Sequence, residues 1–423
     1  MVQVIKRNGD VVDFQRDKIS VAIQKAMKEV RDEINTYEVR AATDKVINSI
    51  EQRKENISVE EIQDIVERAL MTSGMKDVAK SYITYRYLHG LARDKYQELM
   101  NVVDEKLSAK NVQNQNANVD EKSFGGRVGE TADAVMRKYA LEYCVSPMAK
   151  KNHENNEIYI HDLSSYAVGN HNCLTLPIDD LLANGFNTRQ VDIRPAQSVS
   201  TAFQLVAVLF QLQSLQQFGG VAASHLDWSM VPYVRKSFWK HFKDGMTYIG
   251  GFNANIPEMT DNSKRAIDDP TYTECESWYR YALDMTKKEV YQAVEAMYHN
   301  LNSLQSRSGN QLPFSSINYG TCTLPEGRMI IKALLDVSIK GVGKLHRTSI
   351  FPCGIFQLMK GVNREPKDPN YDLYRLALRS TAQRLYPNYA NCDWSGNAGY
   401  NKNDPRTYFA TMGKRKLSPS KIF

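Results

Sequence analysis

The chain has 423 residues, of which 42% are hydrophobic and 24% charged, so it has the composition of a folded protein with length for more than one domain. Its 54 basic and 48 acidic residues leave a net charge of +6, which suits small anionic ligands and does not call for nucleic acid. The most apolar run, residues 205–210, is far shorter than the roughly 20 residues of a membrane span, so we expect a cytoplasmic protein without membrane contact.

Six cysteines are scattered along the chain, and no C-x-x-C pair occurs among them. This spacing indicates neither a zinc knuckle nor a disulfide framework. We expect free thiols that are mostly buried as small hydrophobic groups. The six are Cys144, Cys173, Cys275, Cys322, Cys353 and Cys392.

The first 95 residues have the pattern of a small domain. Alternating apolar residues flank Asn8-Gly9, which is a strong signal for a hairpin turn. Four amphipathic helices are predicted after the hairpin. Their starts are marked by Asp17 as a cap, by Thr36, by a capping box from Ser58 to Glu61, and by a last helix over about 76–96.

The next segment is rich in Asn and Gln and contains Gly125-Gly126, so we predict a linker over 96–126. The remainder, 127–413, is predicted to be one larger mixed α/β domain. Its predicted helices cover 197–218, 271–305 and 372–385, the first of them ending at Gly219-Gly220. Its predicted strands cover 157–161, 172–176, 314–317 and 350–357.

Three cations surround the predicted hairpin and the start of the helix that follows it: Lys6, Arg7 and Lys18. Cations around a helix amino terminus suit a triphosphate. The same residues also fit a charged hairpin on a solvated face, and composition alone favours that interpretation.

The whole pattern, V-x-K-R-x-G followed by an aromatic residue, D-K-I and an amphipathic helix, resembles the ATP-cone of ribonucleotide reductases over residues 2–93. The resemblance implies that ATP or dATP binds as an allosteric activity switch. The positions that it assigns to nucleotide binding are Val4, Lys6, Arg7, Gln15 and Lys18. A small bacterial transcription regulator carries the same module, so the cone indicates nucleotide binding and does not by itself indicate an enzyme.

A second informative stretch places His161, Asp162, His171 and Cys173 within thirteen residues. His, Asp and Cys all bind metals, but the spacing fits no tetrahedral pattern. The other interpretation is two hydrogen-bonded core histidines and a cysteine at a strand end. We predict no metal site here.

The predicted helix over 197–218 is apolar around most of its circumference and carries several glutamines. A helix of this kind is buried on two sides, either in a large core or at a subunit contact.

Long motifs in the second part of the chain resemble the anaerobic (class III, glycyl-radical) ribonucleoside-triphosphate reductases over residues 130–413. They are "YIHDL", "HNCL", "RPAQSVSTAFQLVAVLFQLQSLQQFGGVAASHLDW", "PFSSINYGT", "DPNYDLYRLAL" and "DWSGNAGYNKNDPRTYFATMG". The resemblance implies a ten-stranded α/β barrel, built of two parallel five-stranded halves around a finger loop, of which this chain holds about half.

The resemblance also implies a chemistry, the radical reduction of ribonucleoside triphosphates to deoxyribonucleoside triphosphates for DNA synthesis. A thiyl radical on the finger loop removes a ribose hydrogen, and a second thiol, Cys173 by motif position, donates hydrogen. Met412 stands where formate-using members carry a methionine, which implies formate as the reductant. A radical-SAM activating enzyme is the implied partner, and the helix over 197–218 is implied in a homodimer contact near the effector site.

One departure from the family stands out. The family loop has cysteine where this chain has Lys414, and an ammonium group has no weak S–H bond to carry the radical. We therefore expect 414–423 to be a foreign tail and the chain to be an inactive amino-terminal fragment. The zinc site and the glycyl radical are expected only in a missing carboxyl-terminal part. An interrupted gene, a frameshift and a dead paralogue all fit this pattern.

Two other functions remain open at this point. The chain fits a stand-alone regulatory protein that senses ATP or dATP through the cone. A glycyl-radical lyase of the pyruvate formate-lyase type is a weaker alternative, because it leaves the cone unexplained.

Overall fold

The computed structural model describes residues 2–53, 55–108, 123–169, 173–217, 219–250, 262–306, 311–394 and 399–411. The chain divides into two compact units, residues 1–104 and 105–423. Within the described ranges, no helix is long and apolar enough to cross a membrane.

The first unit contains the predicted hairpin, formed by β1 (Gln3–Ile5) and β2 (Val11–Asp13). Gly9 closes the turn with φ of +86°, a conformation that glycine adopts without steric cost. A third strand, β3 (Ile57–Ser58), pairs in parallel with β1 and was not predicted. Two residues are too few to show the alternation by which a strand is recognised.

Four helices follow the hairpin, as predicted, and they enclose a core that includes Ile23, Met27 and Leu70. The predicted capping box is present, since the Ser58 hydroxyl accepts from the Glu61 N–H while the Glu61 carboxylate accepts from the Ser58 N–H. The helices are α1 (Arg16–Lys28), α2 (Thr36–Glu51), α3 (Val59–Thr72) and α4 (Lys76–Ser108).

Two helix boundaries in this region differ from prediction. Asp17 does not cap α1: Gln15 occupies the cap position, and Asp17 lies in the first turn, where its charge suits the helix dipole. The predicted linker is helical over 96–108, because apolar residues continue there at helical spacing and no breaker interrupts them. Helix α5 (Phe124–Tyr143) begins before the predicted linker ends, and residues 109–122 lie outside the described residues.

The second unit is built around a sheet of five parallel strands in the order β10-β9-β8-β7-β4. This confirms the prediction of one five-stranded parallel half of a barrel. The strands are β4 (Leu174–Thr175), β7 (Val221–Ala223), β8 (Ser315–Tyr319), β9 (Cys353–Leu358) and β10 (Asn388–Asn391), with a separate hairpin of β5 (Phe186–Asn187) and β6 (Asp192–Ile193).

The helices of this unit include the three predicted ones, with shifted ends. After α5 they are α6 (Pro147–Glu154), α7 (Leu163–Val168), α8 (Ile178–Asn184), α9 (Val199–Ser214), α10 (Leu226–Ser229), α11 (Val231–Tyr248), α12 (Pro270–Thr273), α13 (Glu276–Ser303), α14 (Pro325–Lys340) and α15 (Tyr371–Arg384).

The two faces of the sheet differ in character. On β8, Ile317 and Tyr319 belong to the main hydrophobic core with α9, α13 and α14, and on β9 Phe356 does the same. Successive residues of a strand point to opposite faces, so Asn318 and Gln357 lie on the other face. Both amides are fully buried.

Two predictions in this unit are wrong. Residues 157–161 form no strand; they follow the end of α6, where the backbone N–H groups of Glu157 and Ile158 donate to the Asn152 carbonyl. Helix α9 ends at Ser214, before the Gly219-Gly220 pair that was expected to cap it. Gly220 instead lies directly before β7. There the Cβ of any other residue would crowd the Phe314 carbonyl oxygen at a distance of 3.3 Å.

Candidate functional site

The polar face of the sheet binds the chain segment that leads to the predicted finger loop. Asn318 on β8 donates from Nδ2 to the Thr411 carbonyl at 3.0 Å, and its Oδ1 accepts from the Thr411 N–H at 3.0 Å. The same Nδ2 also donates to the Ala223 carbonyl of β7 at 2.9 Å. One buried amide therefore joins two strands and residue 411.

A second amide on the next strand continues this contact. Gln357 on β9 donates from Nε2 to the Phe409 carbonyl at 2.9 Å and to the Ser224 carbonyl at 3.3 Å. Residues 409–411 are thus held across β8 and β9. The sequence analysis missed both amides, because a single Asn or Gln within a short strand carries no pattern of its own. We call Asn318 and Gln357 the amide clamp.

The segment beyond the amide clamp includes two residues named from the sequence. Met412, at the position associated with formate use, and Lys414, at the position of the radical cysteine, lie outside the described residues. The described chain reaches Thr411.

Cys173 lies directly before β4 and is half-buried. The Gly220 N–H, directly before β7, donates to Cys173 Sγ at 3.4 Å. Continuing the strand register places Cys173 level with Gly220, and Asn318 level with Ser224. At about 3.3 Å per residue, Cys173 is therefore displaced roughly 13 Å along the strands from the level of the amide clamp.

The other residues of the second stretch do not gather around Cys173 in the described structure. His161 is exposed and contacts its neighbour, with Nδ1 at 2.5 Å from Asp162 Oδ1. His171 lies outside the described residues. Over the ranges that the structure describes, no cluster of three or more His, Cys, Asp or Glu residues has the geometry to hold a metal ion.

The third polar element of the site is a buried carboxylate beside the sheet. Asp227 on α10 is fully buried, and its Oδ2 accepts from three successive N–H groups, those of Gly320, Thr321 and Cys322, at 2.9–3.0 Å. The turn that follows β8 is therefore fixed by one carboxylate. This arrangement holds β8, and Asn318 on it, in place.

In the first unit, the five residues assigned to nucleotide binding have different environments. Val4 is buried in the core of the unit, while Lys6 and Lys18 are exposed. Gln15 precedes α1 without making a side-chain cap. Arg7 donates from Nε to Glu60 Oε1 at 2.5 Å and from Nη2 to Gln63 Oε1 at 3.1 Å.

Glu60 connects Arg7 to a second arginine. Arg86 donates to Glu60 at 2.8 Å and also binds Asp64 and Glu67. Hydrogen bonds from Arg86 and then from Arg7 lower the pKa of Glu60 below its ordinary value. Because Glu60 is 53 residues from Arg7, sequence spacing did not reveal this contact.

A groove of about 370 Å³ lies between α2 and α3 of the same unit. Its cations are Lys45, Arg53 and Arg68, and none of the five predicted nucleotide-binding residues lines it. The groove and the predicted site are therefore different places on this unit.

Two family models match the chain. The model described as anaerobic ribonucleoside-triphosphate reductase matches residues 115–419, and the model described as ATP cone domain matches residues 2–91. Both resemblances found in the sequence are confirmed by these matches.

Curated proteins are also similar to the chain. The anaerobic ribonucleoside-triphosphate reductase of Haemophilus influenzae is 31% identical over 397 residues, covering 92% of this chain and 52% of that protein. The reductase of the same description from Escherichia coli is 29% identical over 395 residues, covering 92% and 51%. The chain thus spans about half the length of the curated relatives it matches. A crystal structure of the anaerobic ribonucleotide reductase from Thermotoga maritima, in complex with dATP and CTP, aligns with 74% of this chain and 51% of that one at 14% identity and a TM-score of 0.46.

Proposed function

Because the chain belongs to the anaerobic ribonucleoside-triphosphate reductase family, we propose that it contributes a nucleotide-sensing cone and half of a catalytic barrel to the radical reduction of ribonucleoside triphosphates. The products are deoxyribonucleoside triphosphates for DNA synthesis. The observation that carries this proposal is the amide clamp, since the reaction needs a loop held in a defined position against the polar face of the sheet. Asn318 and Gln357 bind residues 409–411 in that way.

In this proposal Cys173 is the thiol that donates hydrogen below the ribose. Its half-buried position directly before β4, with the Gly220 N–H donating to its sulfur, supports a thiol that is fixed in direction. Formate is the reductant, and Met412 acts together with it. The thiyl radical itself requires a cysteine, which this sequence replaces with Lys414.

The remaining parts of the reaction are supplied from outside the described residues. We propose that the part of the relatives that this chain does not cover supplies a zinc site and a glycyl radical, which a radical-SAM activating enzyme generates. We also propose a homodimer in which α9 lies near the contact, and a cytoplasmic location. The support for the dimer is the apolar circumference of α9, although most of its side chains pack within this unit.

ATP and dATP are the proposed allosteric ligands of the first unit. The exposed ammonium groups of Lys6 and Lys18 lie at the end of β1 and in the first turn of α1, where free N–H groups of the helix add to their attraction for phosphate. Arg7 is the third cation of this set; it follows the end of β1 and contacts Glu60 and Gln63 of α3.

A reconstituted enzyme tests the reductase proposal. The chain carrying Lys414→Cys is joined to the part of the Haemophilus influenzae relative that it does not match. The product is then assayed without oxygen, with the activating enzyme, S-adenosylmethionine, formate and a ribonucleoside triphosphate. We expect deoxyribonucleotide from this protein and none from its Cys173→Ala variant, while the exposed Cys144→Ser control keeps activity. Absence of product from all three would overturn the proposal.

Calorimetric titration of the full chain tests the cone. A charge-assisted hydrogen bond contributes about 1.5–3 kcal/mol, so Lys6→Ala and Lys18→Ala should each weaken ATP and dATP binding by about tenfold or more. Lys25→Ala, in the last turn of α1, is the matched control and should bind as the parent does. Equal affinity in all four proteins would move the nucleotide site elsewhere, with the groove between α2 and α3 as the next place to test.

A further inference from the structure

Three side chains at the carboxyl end of β7 form a hydrogen-bonded chain that the reductase motifs do not explain. Ser224 Oγ lies 2.7 Å from His225 Nδ1, and His225 Nε2 lies 2.7 Å from Asp179 Oδ2. Ser224 and His225 follow β7 directly, and Asp179 is in the first turn of α8. The imidazole is 11% exposed, so water has little access to it.

The direction of these hydrogen bonds follows from their partners. An ionised carboxylate only accepts, so Nε2 of His225 carries a hydrogen and donates it to Asp179. In the neutral ring Nδ1 is then the acceptor, and the Ser224 hydroxyl donates to it. The pKa of Asp179 supports an ionised carboxylate: burial raises it, but the hydrogen bond from His225 and other contacts outweigh burial and lower it below the ordinary value.

Ser224 is placed to meet a ligand. Extending the pairing of β7 with β8 by one residue brings Ser224 level with Asn318. Ala222, two residues earlier, is not part of the hydrophobic core, so alternation along the strand puts Ser224 on the polar face of the sheet. Its own carbonyl accepts from Gln357, so the residue is tied to the amide clamp. In open parallel sheets, ligands bind at the carboxyl ends of the strands, which is where the Ser224 hydroxyl lies.

We propose that Ser224, His225 and Asp179 form a proton relay in which the Ser224 hydroxyl takes a proton from a hydroxyl group of the bound substrate. Ser224 Oγ accepts the substrate proton while its own proton passes to His225 Nδ1. The result is a substrate alkoxide and an imidazolium ion whose Nε2–H remains on the Asp179 carboxylate. No electron is transferred. Ser224 touches the substrate, and His225 and Asp179 are positioning residues.

The reductase proposal enters this inference only by naming a ribonucleoside triphosphate as the alcohol. The charged groups around the imidazole come from several elements. Asp179 is on α8, the buried Asp227 is on α10, and Asp404 and Arg406 form an ion pair in the turn after residue 403. The hydrogen bond from Nε2–H to the Asp179 carboxylate compensates the positive charge that the ring gains in the relay.

The structural alternative is that His225 merely ties α8 to the end of β7. The two roles differ in the reactivity of the Ser224 hydroxyl, because a relay removes its proton and a tie does not. A fluorophosphonate probe measures that reactivity in the full chain, without nucleotide, radical or activating enzyme.

We expect the probe to modify Ser224, identified by mass spectrometry of its peptide. His225→Gln and Asp179→Asn should lower the rate constant about 100-fold, the magnitude of general-base assistance, and Asp179→Glu should restore part of it. Ser49→Ala is the control, since the exposed Ser49 hydroxyl donates to the Lys45 carbonyl of α2, and it should react as the parent does.

Circular dichroism of each variant shows whether the fold is kept, and Asp179→Glu keeps the test informative if Asp179→Asn unfolds. An unmodified Ser224 in the folded parent, or equal rates in the parent and His225→Gln, would overturn the relay. Neither result bears on the reductase assay, and failure of that assay leaves the labelling result unchanged.

Discussion

Asn318 and Thr411 form a closed pair of hydrogen bonds, in which the side-chain amide of Asn318 both donates to and accepts from the backbone of Thr411. The same amide reaches the Ala223 carbonyl of the adjacent strand. Replacing Asn318 with Asp keeps the size of the side chain but removes its N–H donors. Two carbonyls then lose their partner, and an unsatisfied buried group costs about 1–3 kcal/mol.

We therefore predict that Asn318→Asp lowers the free energy of unfolding by about 2–4 kcal/mol, measured by urea denaturation. Asn300→Asp is the matched control, because its amide bonds to Gln204 near the surface of α13, and it should change stability by less than about 0.5 kcal/mol. Equal effects of the two substitutions would show that the contact with Thr411 is weak.

Glu289 joins three helices, and its removal tests how much this junction stabilises the second unit. Its carboxylate accepts from His241 Nε2 at 2.9 Å, from the Ser200 hydroxyl at 2.9 Å and from the Ser237 hydroxyl at 3.1 Å. We predict that Glu289→Gln costs about 2 kcal/mol of unfolding free energy at neutral pH. Glu295→Gln on the same helix weakens partly exposed contacts with Lys340 and His299 and should cost under about 1 kcal/mol.

Acid stability of the first unit should depend on Asp77. A hydrogen bond from Arg31 lowers its pKa from 3.8 to about 2. The native state therefore holds the charged form more strongly than the unfolded chain does. The contribution is complete above the unfolded pKa and is lost as pH falls through the folded one.

Asp77→Asn should accordingly remove part of the loss of stability between pH 4 and pH 2, as followed by urea midpoints across that range. The pair is partly exposed, so added salt should reduce the difference. Asp32→Asn, at an exposed position between α1 and α2, should leave the acid limb unchanged.

The cysteines should react with a thiol reagent in an order set by burial. Cys144 is exposed, whereas Cys392 is buried, and burial raises its pKa to about 12. Burial also raises the pKa of Cys322. Since the thiolate is the reactive form, we predict fast modification of Cys144 and none of Cys322 or Cys392 before unfolding. Mass spectrometry of the modified peptides measures the order, with Cys144→Ser as the control.

Glu60 should limit the availability of Arg7 for phosphate. Glu60→Gln removes the charge that pairs with Arg7, and exposed ion pairs contribute about 0.2–1 kcal/mol, so ATP affinity should rise by up to about fivefold. Glu67→Gln is the control, because Glu67 binds Arg86 and its replacement leaves Arg7 paired. Weaker ATP binding in Glu60→Gln would show that Arg7 needs Glu60 for its orientation.

Local features of the fold were predictable from the sequence because their causes are local. The Asn8-Gly9 turn and the Ser58–Glu61 capping box each depend on residues at most three positions apart. The positions of Asn318 and Gln357 were not predictable, since their partners at 409 and 411 are more than fifty residues away. The pairing of Arg7 with Glu60 was not predicted for the same reason. Strand β7 was not predicted because three residues with small side chains show no periodicity.

The amide clamp holds peptide groups and ignores the side chains of the segment that it binds. Residue 411 is therefore open to exchange in protein engineering, provided that its backbone donor and acceptor are kept, whereas the Phe409 ring also packs edge-on against Trp394. Proline at 411 is the exception, because it has no N–H to give to Asn318. The half-barrel can thus hold grafted loops of different sequence and reactivity by their backbone.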